Sequence, residues 1–323
     1  MIIPENLLEG KRVLLGITGS IAVYKSLELT RLLIKAGAEV RVIMTDAAKK
    51  FVAPLSFETL SRNKVLDESS ESWSDDHNHI QIGQWADVFV IAPCTANTIG
   101  KLSNGIADNL LTQAALAYPD LKLIAPSANT NMLHNPIIQS ALEALKAANY
   151  ETIGTQTKEL ACQVKGDGAM AEPLEIFWHT ARVLLKEEFW EDRDVIVTGG
   201  GTIEKIDDVR YLSNYSSGKM ASALAAALFL KGADVNLVST RRESDLPAIM
   251  RKTDVQSSSE MFEQVDGSIR TATETHQEIQ KSPYLFLAAA VSDYVPANAQ
   301  EGKMKKEKIG ERWPLELEEN IDI

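Results

Sequence analysis

Apolar residues along this chain fall into short blocks separated by glycine and polar turns. Residues 11–18 (KRVLLGIT) form a compact run of branched side chains, the signature of a buried strand. Gly19 and Ser20 follow, and apolar positions then recur at helical spacing over residues 22–36 until Gly37 stops them. Residues 38–45 (AEVRVIMT) supply the next strand. A strand, helix and strand joined by such short turns predict a parallel pair. Residues 86–93 (ADVFVIAP) and 121–128 (LKLIAPSA) are further buried-type strands, with a helix predicted over 105–117. The first half therefore reads as an α/β doubly wound domain.

The pattern breaks at residues 184–194 (LLKEEFWEDRD), which are charged, and resumes at 195–201 (VIVTGGG) with a new strand and glycine turn. The boundary is placed between domains 1–187 and 188–323. A helix over 219–231, a strand over 233–240 (ADVNLVST) and a buried strand over 284–291 (YLFLAAAV) complete a second Rossmann-like arrangement. The likeness of KAGAEVRVIMT to KGADVNLVST reflects two helix ends feeding two parallel strands, with no true repeat beyond it.

Composition narrows the function. At 323 residues there is room for two cores, and 45% hydrophobic with 24% charged residues is ordinary for a globular protein. A net charge of -12 argues against a nucleic-acid partner, since phosphate backbones are bound by clustered Lys and Arg. Cys94 and Cys162 make neither a disulfide framework nor a zinc spacing, so a reducing, cytoplasmic setting is expected. The opening MIIPENLLEGKR lacks a basic flank with an apolar core, and the apolar run at 221–230 is too short for a membrane span.

Several positions carry candidate chemistry. Gly19 and Ser20, between strand and helix, leave backbone N–H groups for an anion, although any βα turn can carry glycine for steric reasons. Residues 91–98 (IAPCTANT) set Thr95, Asn97 and Thr98 at the carboxyl edge of the sheet, where open α/β folds bind ligands. His79 sits in or just before a helix, where an isolated histidine is more often structural than catalytic. Cys162 lies in a glycine-containing loop (ELACQVKGDGAMAEP), a setting suited to a proton donor or nucleophile.

Taken in order, GSIAVYK (19–25), HIQIGQWAD (79–87), APCTANT (92–98), PSANTNML (126–133) and ACQVKGDGAMAEP (161–173) resemble the flavin-dependent cysteine decarboxylases, specifically phosphopantothenoylcysteine decarboxylase. The resemblance covers the first half and implies a flavodoxin-like, FMN-binding fold. It implies FMN contacts at Gly19, Ser20, Thr45, Pro93, Thr95, Ala96 and Asn97, and a substrate contact at Met132. His79 and Asn129 would position the substrate carboxylate and assist decarboxylation, and Cys162 would donate a proton. The chemistry needs an electron sink, because loss of carbon dioxide from an unactivated cysteinyl carboxylate leaves an unstabilised carbanion. Oxidation of the thiol on FMN gives a thioaldehyde-like species that holds the charge as an enethiolate, and return of hydride with a proton completes the reaction. Ala128 stands where the family has methionine, and Gln163 and Val164 replace a Gly-Asp pair.

In the second half, residues 197–225 combine a triple glycine with SNYSSGK at the head of a helix. By pattern alone an NAD-type turn is the common reading, yet GGGT lacks GxGxxG and SSGK lacks the P-loop spacing. AAAVSDYVPA (288–297) ends a strand with Asp293, and GKMKKEK (302–308) adds a lysine run. Together these resemble phosphopantothenate–cysteine ligase, which activates 4'-phosphopantothenate with CTP as an acyl-cytidylate that cysteine then attacks. The resemblance implies roles for Asn214 and Lys303 in catalysis, nucleotide contacts at Ala289, Asp293 and Lys303, and Mg²⁺ with CTP, Asp293 being a candidate ligand. LELEENIDI (315–323) resembles the start of a segment after which the family continues, so the expectation is an incomplete ligase half that need not be active in this chain.

The combined expectation is a bifunctional enzyme of coenzyme A biosynthesis, ligating 4'-phosphopantothenate to cysteine and decarboxylating 4'-phosphopantothenoylcysteine to 4'-phosphopantetheine. By resemblance it is a homo-oligomer built on trimers of the flavin domain. The alternatives are a noncatalytic flavin-binding regulator, disfavoured by intact His79, Asn129 and Cys162, and a peptidyl-cysteine oxidative decarboxylase, disfavoured by Cys162 and the ligase motifs. An NAD-dependent dehydrogenase fails for want of a glycine fingerprint.

Overall fold

The structure, a computed structural model, describes residues 3–74, 78–159, 165–279, 281–305, 307 and 310–321. Its contacts divide the chain into two compact units, Ile2–Leu184 and Leu185–Ile323. Among the described residues no helix is long and apolar enough to cross a membrane.

The first unit runs β1 (Arg12–Ile17), α1 (Val23–Lys35), β2 (Glu39–Met44), α2 (Asp46–Lys49), α3 (Pro54–Ser61), α4 (His79–Trp85), β3 (Val88–Thr95), α5 (Ala96–Ser103) and α6 (Leu110–Ala117). It continues with β4 (Lys122–Ser127), α7 (Thr130–Leu133), α8 (Pro136–Ala147), β5 (Tyr150–Thr152), β6 (Gln156–Glu159), β7 (Lys165–Ala169) and α9 (Pro173–Leu185). Five strands form a parallel sheet in the order β2-β1-β3-β4-β5. This is the flavodoxin-like order, with its switch point between β1 and β3.

The central strands are buried on both faces, which explains their unbroken apolar runs. On one face Leu14, Phe89, Ile91 and Ile124 pack with Ile82, Ile99, Leu111 and Leu145. On the other, Val13 and Leu15 are fully buried and α1 lies against β2 and β3. Each such side chain contributes about 1.5–3 kcal/mol when fully buried.

Two elements differ from the sequence pattern. The helix predicted over 105–117 begins at Leu110, because Gly105 turns through φ 66° and Asn109 starts the helix with a capping box to Thr112. The end of the APCTANT segment, placed only at the sheet's carboxyl edge by the sequence pattern, opens a helix, α5, started by Thr95 accepting the Thr98 amide.

The second unit contains β8 (Asp194–Gly199), β9 (Ile203–Lys205), β10 (Tyr211–Ser213), α10 (Lys219–Leu230), β11 (Asp234–Ser239), β12 (Arg251–Asp254) and α11 (Ser258–Ile279). β13 (Tyr284–Leu287), β14 (Tyr294–Pro296) and β15 (Leu317–Glu319) follow. Its main sheet is parallel, ordered β12-β11-β8-β13, so β8 and β13 flank a second switch point. Met261 and Val265 of α11 pack on Ile196 and Val238, and α10 lies against β8 and β11. The strand expected over 284–291 ends at Leu287, and its side chains are mostly exposed because β13 is the sheet edge among the described residues.

Both units bring backbone elements close at a glycine following or ending the first strand. A Cβ on Gly19 would lie 2.5 Å from Ala47 Cβ, and one on Gly199 would lie 2.6 Å from Ala221 Cβ.

Candidate active sites

The carboxyl ends of β1 to β4 open onto a cavity of about 670 Å³, within the range that holds a cofactor-sized ligand. Gly19, Ser20 and Thr45 line one part of it, Thr95, Ala96 and Asn97 another, and Ser127, Ala128 and Met132 a third. Pro93 is not part of the lining. It is buried in β3, and its carbonyl accepts the Thr18 hydroxyl at 2.7 Å. The same Thr18 oxygen accepts the Thr95 amide at 3.1 Å, so one side chain joins the first turn to the APCTANT loop. Ser20 and Ser127 hydroxyls lie 2.9 Å apart and tie the turn to the end of β4. Thr18 and Ser127 escaped the sequence reading, although each sits at or just beyond a strand's carboxyl end.

The donor set fits a phosphorylated, polyhydroxylated cofactor such as FMN. Hydroxyls of Ser20, Thr95 and Thr98 and the Asn97 amide surround the cavity, and the first-turn amides of Ala96 and Asn97 have no acceptor within α5. The close approach at Gly19 leaves no room for a side chain at the first turn. Lys101 brings a positive charge that Asp108 meets at 2.7 Å, and this hydrogen bond holds the Asp108 carboxyl below the usual carboxylate range.

Of the expected acting residues, Asn129 follows the cavity-lining Ala128 and caps α7 by accepting the Asn131 amide at 2.9 Å. His79 is the first residue of α4 and is not among the lining residues; its Nδ1 lies 2.8 Å from Glu71 Oε1. Cys162, with Gln163 and Val164, lies outside the described residues. The chain that follows, β7 and the residues after it, is anchored by several contacts. The Ala128 amide donates to the Gly168 carbonyl at 3.1 Å, and His134 Nε2 lies 2.6 Å from Asp167. Buried Lys25 of α1 donates to the Met170 carbonyl at 2.9 Å and pairs with Glu172 at 3.1 Å.

In the second unit the triple glycine docks on the segment after β13. Thr198 Oγ1 accepts the amides of Ala288 and Ala289 at 3.1 and 3.2 Å, and the Ala290 amide donates to the Gly200 carbonyl at 2.8 Å. Asn214 Nδ2 donates to the Val291 carbonyl at 2.9 Å, joining SNYSSGK to AAAVSD. Gly218 starts α10 at φ 72°, where a Cβ would sit 2.0 Å from the Arg241 carbonyl oxygen. Asp293 is exposed, and its carbonyl accepts the Asn320 amide at 2.9 Å.

Lys303 lines a different cavity of about 500 Å³, with Arg210, Lys305 and Trp313. Neither Asn214, Ala289 nor Asp293 lines it. Buried Asp207 organises this loop, accepting the amides of Arg210 at 2.7 Å and Met304 at 3.1 Å. Burial disfavours its charge, but those amide bonds and the Arg210 guanidinium hold its carboxyl below the usual range. The Arg210 guanidinium stacks 4.4 Å above the Trp313 ring. Asp207, Arg210 and Trp313 were also not singled out from sequence; the first two lie within the IDDVR segment.

A polar, cofactor-sized cavity at the switch point of one unit and a second glycine-rich switch point in the other are the features of a two-part flavoprotein. Residues 1–184 match the Flavoprotein family and residues 190–323 the DNA/pantothenate metabolism flavoprotein C-terminal domain. The coenzyme A biosynthesis bifunctional protein CoaBC of Vibrio cholerae is 39% identical over 318 residues, spanning 98% of this chain and 77% of the relative. That of Bacillus subtilis is 39% identical over 321 residues, spanning 98% and 76%. A solved PPC decarboxylase variant complexed with pantothenoylaminoethenethiol is 36% identical over 53% of this chain and 96% of its own, with a TM-score of 0.49. The chain belongs to the CoaBC family of bifunctional proteins of coenzyme A biosynthesis. It is a flavoprotein enzyme with phosphopantothenoylcysteine decarboxylase and phosphopantothenate–cysteine ligase activities.

Proposed function

We propose that residues 1–187 carry the decarboxylase, with FMN in the 670 Å³ cavity, and that residues 188–323 carry the CTP-dependent ligase. The observation that carries the first assignment is the convergence of Gly19, Ser20, Thr45, Thr95, Ala96, Asn97 and Met132 on one cavity at a switch point. Ser20, Thr95 and Asn97 would hold the cofactor's oxygens, and Met132 the substrate. Bound FMN supplies a two-electron acceptor for the cysteinyl thiol and then returns the electrons. Asn129 receives the substrate carboxylate, His79 presents Nε2 to the cysteinyl end, and Cys162 provides the proton that completes the reduced product.

In the ligase, the 4'-phosphopantothenate carboxylate attacks the α-phosphorus of CTP, releasing pyrophosphate, and the cysteine amine then displaces CMP. Asn214 and Lys303 serve these steps, with Ala289, Asp293 and Lys303 at the nucleotide. The Asn214 contact with the segment bearing Ala289 and Asp293 supports a shared role. Mg²⁺ would enter with the nucleotide phosphates, with Asp293 as its candidate protein ligand. The chain works in the cytoplasm as a homo-oligomer built on trimers of its flavin unit.

The test is the visible spectrum of purified protein, then incubation with 4'-phosphopantothenoylcysteine and mass analysis. Flavin absorption with phosphopantetheine formed is expected. His79→Asn should form nothing, and Cys162→Ser should stop at the unreduced enethiol. Flavin without turnover would make the chain a binding protein, and absence of flavin would remove the cofactor assignment.

A further inference from the structure

His79 is held by more than its helix. Asn78, which is buried, caps α4 by accepting the amides of Ile80 and Gln81, and this fixes the backbone from which the imidazole projects. Its Nδ1 then meets Glu71 Oε1 at 2.8 Å, and the Trp73 ring stands edge-on, perpendicular to the imidazole at a centroid separation of 5.7 Å. Both partners come from the short segment preceding α4, and neither lies in a motif used to recognise the site. An ionised carboxylate has no proton to donate, so the Glu71 contact requires a proton on Nδ1. In neutral His79 the lone pair is therefore on Nε2, and the ring cannot rotate to exchange its nitrogens without losing this bond.

We propose that Glu71 is a positioning residue for decarboxylation: its carboxylate fixes the tautomer and orientation of His79 so that Nε2 meets the substrate. The inference rests on the assignment of His79 to the decarboxylase. Glu71 acts through the imidazole and touches neither substrate nor flavin.

The experiment compares Glu71→Ala, Glu71→Gln and His79→Asn in the full chain, reading kcat and KM for 4'-phosphopantothenoylcysteine, flavin absorbance, melting temperature and ring-nitrogen NMR. Loss of a carboxylate orienting a histidine is expected to lower kcat by about 10- to 100-fold, with KM within about twofold. Glu71→Gln, whose amide oxygen accepts the same bond, should recover most of that loss, and flavin content and melting should stay unchanged. The NMR spectrum should show His79 protonated at Nδ1 in the native chain and mixed tautomers in Glu71→Ala.

A dead His79→Asn beside a fully active Glu71→Ala would overturn the role of Glu71 while leaving His79 in place. An active His79→Asn would remove the assignment of His79 and this inference with it. Equal losses in Glu71→Ala and Glu71→Gln, accompanied by lower melting, would make Glu71 a structural residue only.

Discussion

Replacing Gly168 by alanine tests whether β7, the strand after Cys162, sets the geometry of the decarboxylase. A Cβ there would lie 2.0 Å from the Ala128 carbonyl oxygen and 3.3 Å from the Asn129 carbonyl carbon. These are backbone atoms, which cannot swing aside as a side-chain tip would. Restoring even a 3.0 Å contact requires β7 to withdraw by roughly 1 Å, and overpacking of this kind costs about 1–3 kcal/mol. The Ala128 amide bond to the Gly168 carbonyl, 3.1 Å long, is strained or lost as well, adding about 1 kcal/mol. Melting of the flavin unit should fall by about 5–10 °C. Because a misplacement of about 1 Å can cost about 100-fold in rate, kcat for 4'-phosphopantothenoylcysteine should drop by that order. Turnover is followed by mass analysis of phosphopantetheine, with pyrophosphate release by the ligase monitored in the same preparation and expected to be unchanged. A Gly168→Ala protein with native kcat and native melting would refute the reasoning.

His179 supplies a pH dependence. It is buried, which disfavours its charge, but hydrogen bonds with Glu151 at 2.8 Å and Glu175 push its pKa up to about 9 from 6.5. Because the folded value lies above the unfolded one, the stabilisation is complete below pH 6.5 and is lost as pH rises towards 9; it amounts to at most about 3 kcal/mol. Melting curves at pH 6 and pH 9 should converge in His179→Gln relative to the native chain. Gly218→Ala should abolish ligation while sparing decarboxylation, since it adds a Cβ 2.0 Å from the Arg241 carbonyl at φ 72°; paired activity assays decide it. Lys25→Met should lower the melting temperature of the flavin unit by several degrees, measured calorimetrically, by leaving the Met170 carbonyl and Glu172 without their buried partner.

The parallel strands of both units were legible because burial on two faces writes an unbroken apolar run, as in β1 and β3. β13 misled for the same reason: YLFL has the composition of a central strand, yet it pairs only with β8 among the described residues. Helix starts were less legible than helix faces. α5 begins because Thr95 caps it, and α6 begins late because Gly105 turns the chain, both local effects that apolar periodicity does not register. Of the residues around the 670 Å³ cavity, the glycine turn and APCTANT segment stood out in sequence. Thr18 and Ser127 did not, since a hydroxyl gains its role only when folding brings it to a carbonyl or a second hydroxyl. Asp207 likewise gains its role only when folding brings the Arg210 and Met304 amides to its carboxylate.

The close contacts at Gly19 with Ala47 and Gly199 with Ala221 bear on how this chain can vary. At Gly199 the space belongs to the pair, with room for one methyl group and no more, whereas at Gly19 the Ala47 backbone at 3.0 Å crowds the position as well. Gly199→Ala alone should be rejected, yet Gly199→Ala together with Ala221→Gly leaves the methyl count unchanged and should recover much of the loss, apart from the cost of glycine inside a helix. The two positions are thus coupled: the residue tolerated at one depends on the residue present at the other, and homologues are expected to exchange them together or keep both.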